Sequence, residues 1–126
     1  VLPLLKSDLL TVMQATTNGC LSDIDVKFSS EHACCVIAAS KGYPTGYEKG
    51  FEIHIPHDLL PYTYIAGAKK EDGRLVTSGG RVLGVTAVSD TLKGAIEKSY
   101  GMIKRISFEN IYYRSDIGAK AMKAGE

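Results

Sequence analysis

The sequence lacks tryptophan, and it contains no run of about 18 apolar residues that could span a membrane as a helix. It also begins without the basic segment, apolar stretch and small-residue cleavage site of a secretory signal. Charge of one sign does not predominate, because 15 basic and 14 acidic residues give a formal net charge of +1. We therefore predict a cytoplasmic protein with no membrane and no nucleic acid among its partners, in which recognition of anions is local.

Cysteine is scarce, and the three that occur do not form a metal-binding or redox pattern. Cys20, Cys34 and Cys35 give no C-x-x-C pair and no zinc-ligand spacing. His54 and His57 lie three positions apart across a proline with no third ligand nearby, which favours exposed side chains over a metal site. The sequence thus predicts reduced cysteines and no metal ligands in this chain.

The remaining composition is typical of one globular domain. The 126 residues are 44% hydrophobic and 23% charged, and a chain of this length buries roughly two-thirds of its unfolded surface. The first residues, Val1, Leu2 and Pro3, are apolar and include no initiator methionine. Because a free terminus is normally solvated, we expect the chain to be part of a longer polypeptide.

The apolar periodicity predicts helices at the two ends of the chain and about six strands between them. A first helix is expected over residues 7–18, capped by Ser7 or Asp8, and a second after Ser89 or Asp90. The predicted strands are 25–28, 32–39 (buried on both faces), 51–55, 62–68, 74–78 (paired with the preceding strand through a turn at Asp72 and Gly73) and 82–88. This order favours an α+β fold with a mainly antiparallel sheet curled into a small barrel-like domain with flanking helices.

One stretch suggests an anion site. Gly79 and Gly80 permit positive φ or a close backbone approach, and Arg81 follows them at the start of a β-branched run. A guanidinium offers a fixed fork of donors to phosphate or carboxylate, and bare glycine amides can add to it. The alternative is an ordinary turn with a solvated arginine.

A glycine-rich loop over residues 39–50 is the second candidate. It holds three glycines, a proline, two lysines, and Tyr43 and Tyr47 as rigid amphipathic side chains. Such a composition suits a ligand-facing loop on a rigid scaffold. A long connection pinned by its two tyrosines is the alternative.

With these stretches laid out, the sequence resembles the C-terminal part of the phosphoribosylamine-glycine ligases of the ATP-grasp superfamily. The similar segments occur in the family's order and are residues 2–9 (LPLLKSDL), 39–44 (ASKGYP) with 47–50 (YEKG), 66–67 (AG), 75–86 (LVTSGGRVLGVT) and 113–118 (YRSDIG). They cover almost the whole chain. One departure is Ala68, where the family usually has threonine.

The resemblance implies a ligase of purine biosynthesis. Such an enzyme joins glycine to 5-phosphoribosylamine with ATP hydrolysis, through a glycyl phosphate and with Mg²⁺ or Mn²⁺. The ATP clamp and the metal ligands of the family lie upstream, so this chain alone is expected to be inactive and to bind no cofactor. It implies residues 1–18 as the closing helix of the ATP-grasp domain and 19–126 as the C-terminal domain, of the rudiment single hybrid type, with the upstream domain as a partner.

The resemblance also implies where substrate is held. The C-terminal domain would form the phosphate side of the substrate cleft and would contribute no catalytic residue. The residues that carry this role over are Arg81, Gly79 and Gly80, with Lys41, Gly42, Tyr43 and Pro44 as a neighbouring wall and Lys6, beside Asp8, as a candidate for the cleft floor.

Two other functions remain open on the sequence. A structural lid would fold in the same way and contact no ligand. A carrier or docking module would need a modifiable lysine at a hairpin tip, such as Lys69 or Lys70 before Asp72 and Gly73, but no methionine flanks these lysines as in biotinylated carriers.

Overall fold

The structure is a computed structural model that describes residues 1–124. These residues form three α-helices and six β-strands in the order α1 (Leu9–Thr17), β1 (His32–Ser40), β2 (Thr63–Ile65), β3 (Ala68–Glu71), β4 (Arg74–Thr77), β5 (Arg81–Ser89), α2 (Leu92–Ile103), β6 (Ile111–Tyr112) and α3 (Ala119–Ala124). Short 3₁₀ turns lie at Leu2–Leu4, Leu21–Asp23 and His57–Tyr62. No helix within residues 1–124 combines the length and the apolar character needed to cross a membrane.

The strands form two antiparallel sheets. One has four strands in the order β2-β5-β1-β6, and the other is the hairpin of β3 and β4. The predicted α+β class with antiparallel pairing is therefore confirmed. The predicted barrel is not, because both sheets are open within the described residues and no strand closes a ring.

The core lies on one face of the four-stranded sheet. β1 and β5 pair along almost their whole length, with Val36 opposite Val85 and Ala38 opposite Leu83, and all four side chains are buried. Helix α2 packs on this face, and its own residue Ala95 is buried there. The hydrophobic core that stabilises the four-stranded sheet therefore lies on one of its two sides.

The prediction that residues 32–39 are buried on both faces is wrong. Burial in β1 alternates instead, and Cys35 and Ile37 are exposed on the side away from α2. The physical reason is that, within residues 1–124, no helix packs on that face and only the turn at Leu2–Leu4 borders it.

Helix α1 confirms the predicted first helix to within two residues. Asp8 caps it, since its carboxylate accepts hydrogen bonds from the backbone N–H of Thr11 at 2.7 Å and from the Thr11 hydroxyl at 2.8 Å. The backbone hydrogen bond is the main cause of the lowered pKa of Asp8, and the hydroxyl contributes next. Only Ala15 of this helix is buried, while Leu10 and Met13 are 62% and 59% exposed.

Two predicted strands are wrong. Within residues 25–28 only Phe28 forms a bridge, to Leu5, and residues 51–55 form single bridges at Glu52 and His54. The bridge partner of Glu52 is Val76 in β4, whereas that of His54 is Ser107 after α2. Because Glu52 pairs with β4 and His54 pairs with the segment after α2, residues 51–55 form no continuous ladder with a single partner.

The hairpin of β3 and β4 confirms the predicted turn. Asp72 and Gly73 have φ of 48° and 80°, the left-handed conformation that a two-residue hairpin turn requires. The predicted strand 62–68 divides into β2 and the start of β3, because the chain leaves the first sheet for the second at Gly67. The cap of α2 is Thr91, one residue beyond the predicted Asp90.

The C-terminal segment is held to α2 by one hydroxyl. Tyr100 Oη donates to the backbone carbonyl of Arg114 at 2.6 Å and accepts from the backbone N–H of Ile117 at 3.0 Å. Gly118 is required here because its φ is +86° and because a Cβ at this position would overlap the side chain of Ile96. Gly118 of the family-like segment 113–118 thus has a structural explanation.

We expect Ser99→Ala to lower the free energy of unfolding by about 1–3 kcal/mol. Ser99 is fully buried, and its hydroxyl accepts from the Ala87 N–H at 3.2 Å and donates to the Cys34 carbonyl at 2.7 Å. The substitution leaves both backbone groups of the β1–β5 pair without this partner. Urea denaturation measures the effect, with Ser22→Ala as an exposed control that changes stability by less than about 0.5 kcal/mol. Equal stabilities of the two variants would contradict the assignment.

Candidate functional site

A concavity of about 420 Å³ lies at the start of β5 and brings together two of the predicted segments. Arg81, Gly80 and Tyr43 all line it. Its remaining lining residues are Ile37, Ala66, Gly67 and Leu83. The site therefore has one cationic side chain among backbone, aromatic and aliphatic surfaces.

The pairing of β1 with β5 explains why these segments meet. Ala39 near the end of β1 is opposite Arg81, with a register shift between Ala38 and Ala39. Ser40 then donates from its backbone N–H to the Gly80 carbonyl at 2.8 Å and from its hydroxyl to the Gly79 carbonyl at 3.2 Å. The loop after β1 is thus joined directly to the glycine pair before β5.

The two glycines are needed for close approach and not for an unusual φ. Neither Gly79 nor Gly80 has positive φ. A Cβ on Gly80 would overlap the ring of Tyr43, and a Cβ on Gly67 would lie 2.8 Å from the Gly79 Cα. Of the two explanations that the sequence allowed, the structure selects the close approach of neighbouring groups.

The backbone amides of this turn are partly used within the fold. The Gly67 carbonyl accepts from the N–H of Ser78 at 2.8 Å and from that of Gly79 at 2.9 Å. The Gly67 N–H in turn donates to the Arg81 carbonyl at 2.8 Å. The Gly80 N–H has no acceptor among residues 1–124. Of the two glycine amides, only that of Gly80 is unused within residues 1–124, and the Tyr43 ring lies next to it.

Two cations stand at this end of the sheet. Arg81 and Lys41 are exposed, and neither forms an ion pair within residues 1–124. Lys41 directly follows β1, and its backbone N–H donates to the Asn110 carbonyl at 2.8 Å. Neither group has a carboxylate within ion-pair distance, although Asn110 also donates from its side chain to the Glu48 carboxylate at 3.3 Å.

The loop after β1 is a compact turn. Gly42 has a φ of +92° and its carbonyl accepts from the N–H of Thr45 at 3.0 Å and of Gly46 at 3.2 Å. Tyr43, joined to Pro44 by a cis peptide, makes an edge-to-face contact with Tyr47 at 5.8 Å between ring centroids. The tyrosines therefore do fix the loop, and Tyr43 also forms the wall of the concavity.

The structure does not bring Lys6 to the other predicted site residues. Lys6 Nζ lies 3.9 Å from Glu31 Oε2. Glu31 directly precedes β1, whereas Lys41 directly follows β1. A nine-residue strand separates the two lysines by roughly 30 Å. A role of Lys6 in the cleft floor stays a prediction.

Sequence reasoning missed four contributors to the site. Ile37 and Leu83 line its apolar side, Gly67 accepts the two amides, and Ser40 joins the two loops. Gly67 lies in a segment shared with the family and could have been found by that signal. Nothing in the composition around Ser40 distinguishes it from an ordinary strand serine.

Comparison with known proteins places these features in a family. Residues 33–120 match the family model described as phosphoribosylglycinamide synthetase, C domain. The chain is 49% identical over 120 residues to a phosphoribosylamine-glycine ligase of Caldanaerobacter subterraneus subsp. tengcongensis, covering 94% of this chain and 29% of that protein. It is 48% identical over 118 residues to the ligase of Clostridium acetobutylicum, covering 94% of this chain and 28% of that one.

A solved structure supports the same family assignment. The crystal structure of a phosphoribosylamine-glycine ligase from Thermotoga maritima superposes with a TM-score of 0.69 at 34% identity, over 82% of this chain and 27% of that one. The present chain therefore spans between a quarter and a third of the length of these relatives.

We expect Gly80→Ala to lower the free energy of unfolding by about 1–3 kcal/mol, because its methyl group must displace the Tyr43 ring. Tyr43→Ala in the same chain should remove most of that cost, and a double-mutant cycle by urea denaturation measures the coupling. Gly101→Ala is the matched control: nothing lies within 4 Å of its Cβ position inside α2, so it should stabilise by up to about 1 kcal/mol. Additive effects of the two substitutions would show that ring and glycine do not touch.

Proposed function

We propose, because this chain belongs to the phosphoribosylglycinamide synthetase C-domain family, that it acts within a larger ligase that joins glycine to 5-phosphoribosylamine with ATP hydrolysis. The relatives that support this proposal are named phosphoribosylamine-glycine ligases, or multifunctional purine biosynthetic proteins such as that of Pichia angusta, which is 44% identical over 126 residues. Within such an enzyme this domain provides one side of the substrate cleft.

The substrate group that we assign to this site is the 5-phosphate of the sugar. The observation that carries the assignment is an exposed Arg81 without an ion-pair partner in residues 1–124, at the rim of a concavity formed otherwise by backbone, aromatic and aliphatic groups. A guanidinium can donate two parallel hydrogen bonds to phosphate oxygens, and Lys41 adds a second positive charge at the same edge.

The other predicted residues act on this site by shape. Gly80 supplies an amide beside Arg81, whereas the amide of Gly79 is already donated to Gly67. Gly42, with its φ of +92°, begins the turn that brings the Tyr43 ring onto Gly80, and Pro44 lies in the same turn. Tyr43 then offers an apolar face to the ribose next to the phosphate.

The role of this contact in the reaction is positional. Holding the phosphate fixes the distance of the sugar's amine from the activated glycine, which converts an encounter in solution into a reaction within one complex. No residue of this chain needs to exchange a proton with the substrate for that purpose. We therefore assign no catalytic residue here.

ATP and Mg²⁺ or Mn²⁺ belong, in this proposal, to the upstream part of the longer protein. No three His, Cys, Asp or Glu side chains within residues 1–124 are placed to hold a metal ion, so the residues described do not fit a metal centre. The ATP-grasp character and the cytoplasmic location of the whole enzyme rest on the same family resemblance.

The packing of the first helix supports the proposed division of the chain into two domains. A nine-residue helix is marginal in water without a partner surface, yet α1 leaves Leu9, Leu10 and Met13 exposed. We propose that residues 1–18 complete the preceding ATP-grasp domain and that residues 19–126 form the C-terminal domain, with residues 125 and 126 outside the described part.

A structural lid without ligand contact is the second candidate. It is favoured by the contacts of Gly79, Gly80 and Tyr43 within the fold, since packing alone accounts for these three residues. Arg81 has no such reason, since it forms no ion pair within the described residues. The two candidates therefore differ in what they predict for Arg81.

In the full-length enzyme, Arg81→Ala is expected to raise the KM for phosphoribosylamine about 10- to 100-fold, since a hydrogen bond to a charged group contributes roughly 1.5–3 kcal/mol. Arg81→Lys keeps the positive charge but loses the two parallel donors of the guanidinium. Its KM should therefore lie between those of the wild type and Arg81→Ala. Steady-state kinetics measure both. The control is Arg74→Ala, an exposed cation 3.6 Å from Glu52 on the other sheet, which should leave KM unchanged. A wild-type KM in Arg81→Ala would favour the lid.

The 126-residue chain by itself is expected to form no glycinamide ribonucleotide from phosphoribosylamine, glycine and ATP. It would hold at most the phosphate side of the substrate. Product is measured with the purified chain, and the full-length enzyme serves as the positive control. Turnover by the chain alone would refute the assignment of ATP and metal binding to the upstream part.

A further inference from the structure

Few polar side chains are buried within residues 1–124. They are those of Ser40, Thr77 and Ser99, whose exposed fractions are 1%, 0% and 0%. A buried hydroxyl is costly unless it is hydrogen-bonded, so each of the three is expected to hold a particular backbone arrangement. Ser99 holds β1 and β5 together from α2. Ser40 and Thr77 instead both make contacts next to the turn that leads into Arg81.

Ser40 binds the carbonyl groups of that turn. Its hydroxyl donates to the Gly79 carbonyl at 3.2 Å, and its backbone N–H donates to the Gly80 carbonyl at 2.8 Å. The second bond is independent of the side chain, whereas the bond to Gly79 needs the hydroxyl. Ser40 therefore ties the end of β1 to the two residues directly before Arg81.

Thr77, the last residue of β4, binds the far end of the loop after β1. Its carbonyl accepts from the Gly50 N–H at 2.8 Å, and its own N–H donates to the Phe51 carbonyl at 2.8 Å. Its hydroxyl accepts from the Phe51 N–H at 3.1 Å. The loop over residues 41–50 is thus anchored at its start by Ser40 and at its end by Thr77.

We propose that Ser40 and Thr77 are positioning residues for the phosphate site, which act on Arg81 through the turn at residues 78–80. This inference rests on the proposed function, since it takes Arg81 to be the residue that contacts the phosphate. Neither hydroxyl touches the substrate, because both residues are buried and neither lines the concavity beside Arg81.

The physical reason is the directionality of the guanidinium contact. Two parallel hydrogen bonds to phosphate require a defined orientation of the fork, and the backbone at Arg81 sets where that side chain begins. Supporting hydrogen bonds are what hold such a site within about 0.5 Å of its productive geometry. A long arginine side chain adjusts in part to a displaced backbone, so the loss of one anchor should weaken binding less than the loss of Arg81.

Steady-state kinetics of the full-length enzyme test the proposal with variants that lose a single hydroxyl. Ser40→Ala and Thr77→Val are expected to raise the KM for phosphoribosylamine about three- to tenfold, the effect of one neutral hydrogen bond. Thr77→Ser keeps the hydroxyl and should have the wild-type KM. An unchanged KM for ATP shows that each variant is folded in the assay.

Ser99→Ala is the matched control. It also removes one fully buried hydroxyl with two backbone partners, but it contacts β5 at Ala87, roughly 20 Å along the strand from Arg81. Its KM for phosphoribosylamine should be that of the wild type. A raised KM in this control would overturn the proposal, because any loss of stability would then have the same effect.

A double-mutant cycle shows whether the anchors act through Arg81. In an Arg81→Ala background, Ser40→Ala should change the KM by less than about twofold, since there is no guanidinium left to position. The same fold-change with and without Arg81 would overturn the proposal, and so would a wild-type KM in both Ser40→Ala and Thr77→Val.

Hydrogen exchange of the full-length protein separates this inference from the phosphate assignment. Mass spectrometry of peptides that contain residues 78–81 should show exchange about threefold faster or more in Ser40→Ala than in Ser99→Ala. Equal exchange rejects Ser40 as an anchor of the turn, even if Arg81→Ala raises the KM and so retains the phosphate site. Faster exchange with a wild-type KM in Arg81→Ala rejects the phosphate site, and with it the positioning role.

Discussion

The antiparallel pairing of β1 with β5 is the constraint on which the rest of the structure depends. It aligns Val36 with Val85 in the core and, a few residues further on, sets Ala39 opposite Arg81. Ser40 then fastens the two strand ends together through the carbonyls of Gly79 and Gly80. The same ladder therefore contributes to the hydrophobic core and places the backbone of Arg81, the one arginine of the candidate site, beside the loop after β1.

Close backbone approach, and not left-handed conformation, explains the glycines of the site. Gly67 and Gly79 lie against each other, and the Tyr43 ring rests on Gly80. A side chain at any of these positions would push apart the turn that leads into β5. The loop after β1 is in turn held by Gly42, whose φ of +92° does require glycine. Packing thus fixes the walls, while Arg81 and Lys41 remain available for an anion.

The two faces of the four-stranded sheet differ in what covers them. α2 covers one face, and Ser99 reaches between β1 and β5 to satisfy two backbone groups there. The other face presents Ile37, Tyr64 and Cys35 to a groove without charge. An apolar face of this extent is costly in water, and it adjoins the concavity beside Arg81.

The sequence by itself determined the local features: the Asp8 cap of α1, the hairpin at Asp72 and Gly73, and the adjacency of a glycine pair to Arg81, because each depends on residues within a few positions of one another. Its family-like segments also indicated the correct domain family. Only the tertiary structure decided which face of β1 is buried, that residues 51–55 form single bridges, that the Gly79 amide is used by Gly67, and that Lys6 lies a strand's length from Lys41. Those outcomes depend on partners distant in the chain, and hydrophobic periodicity records that a side chain is apolar without recording what covers it.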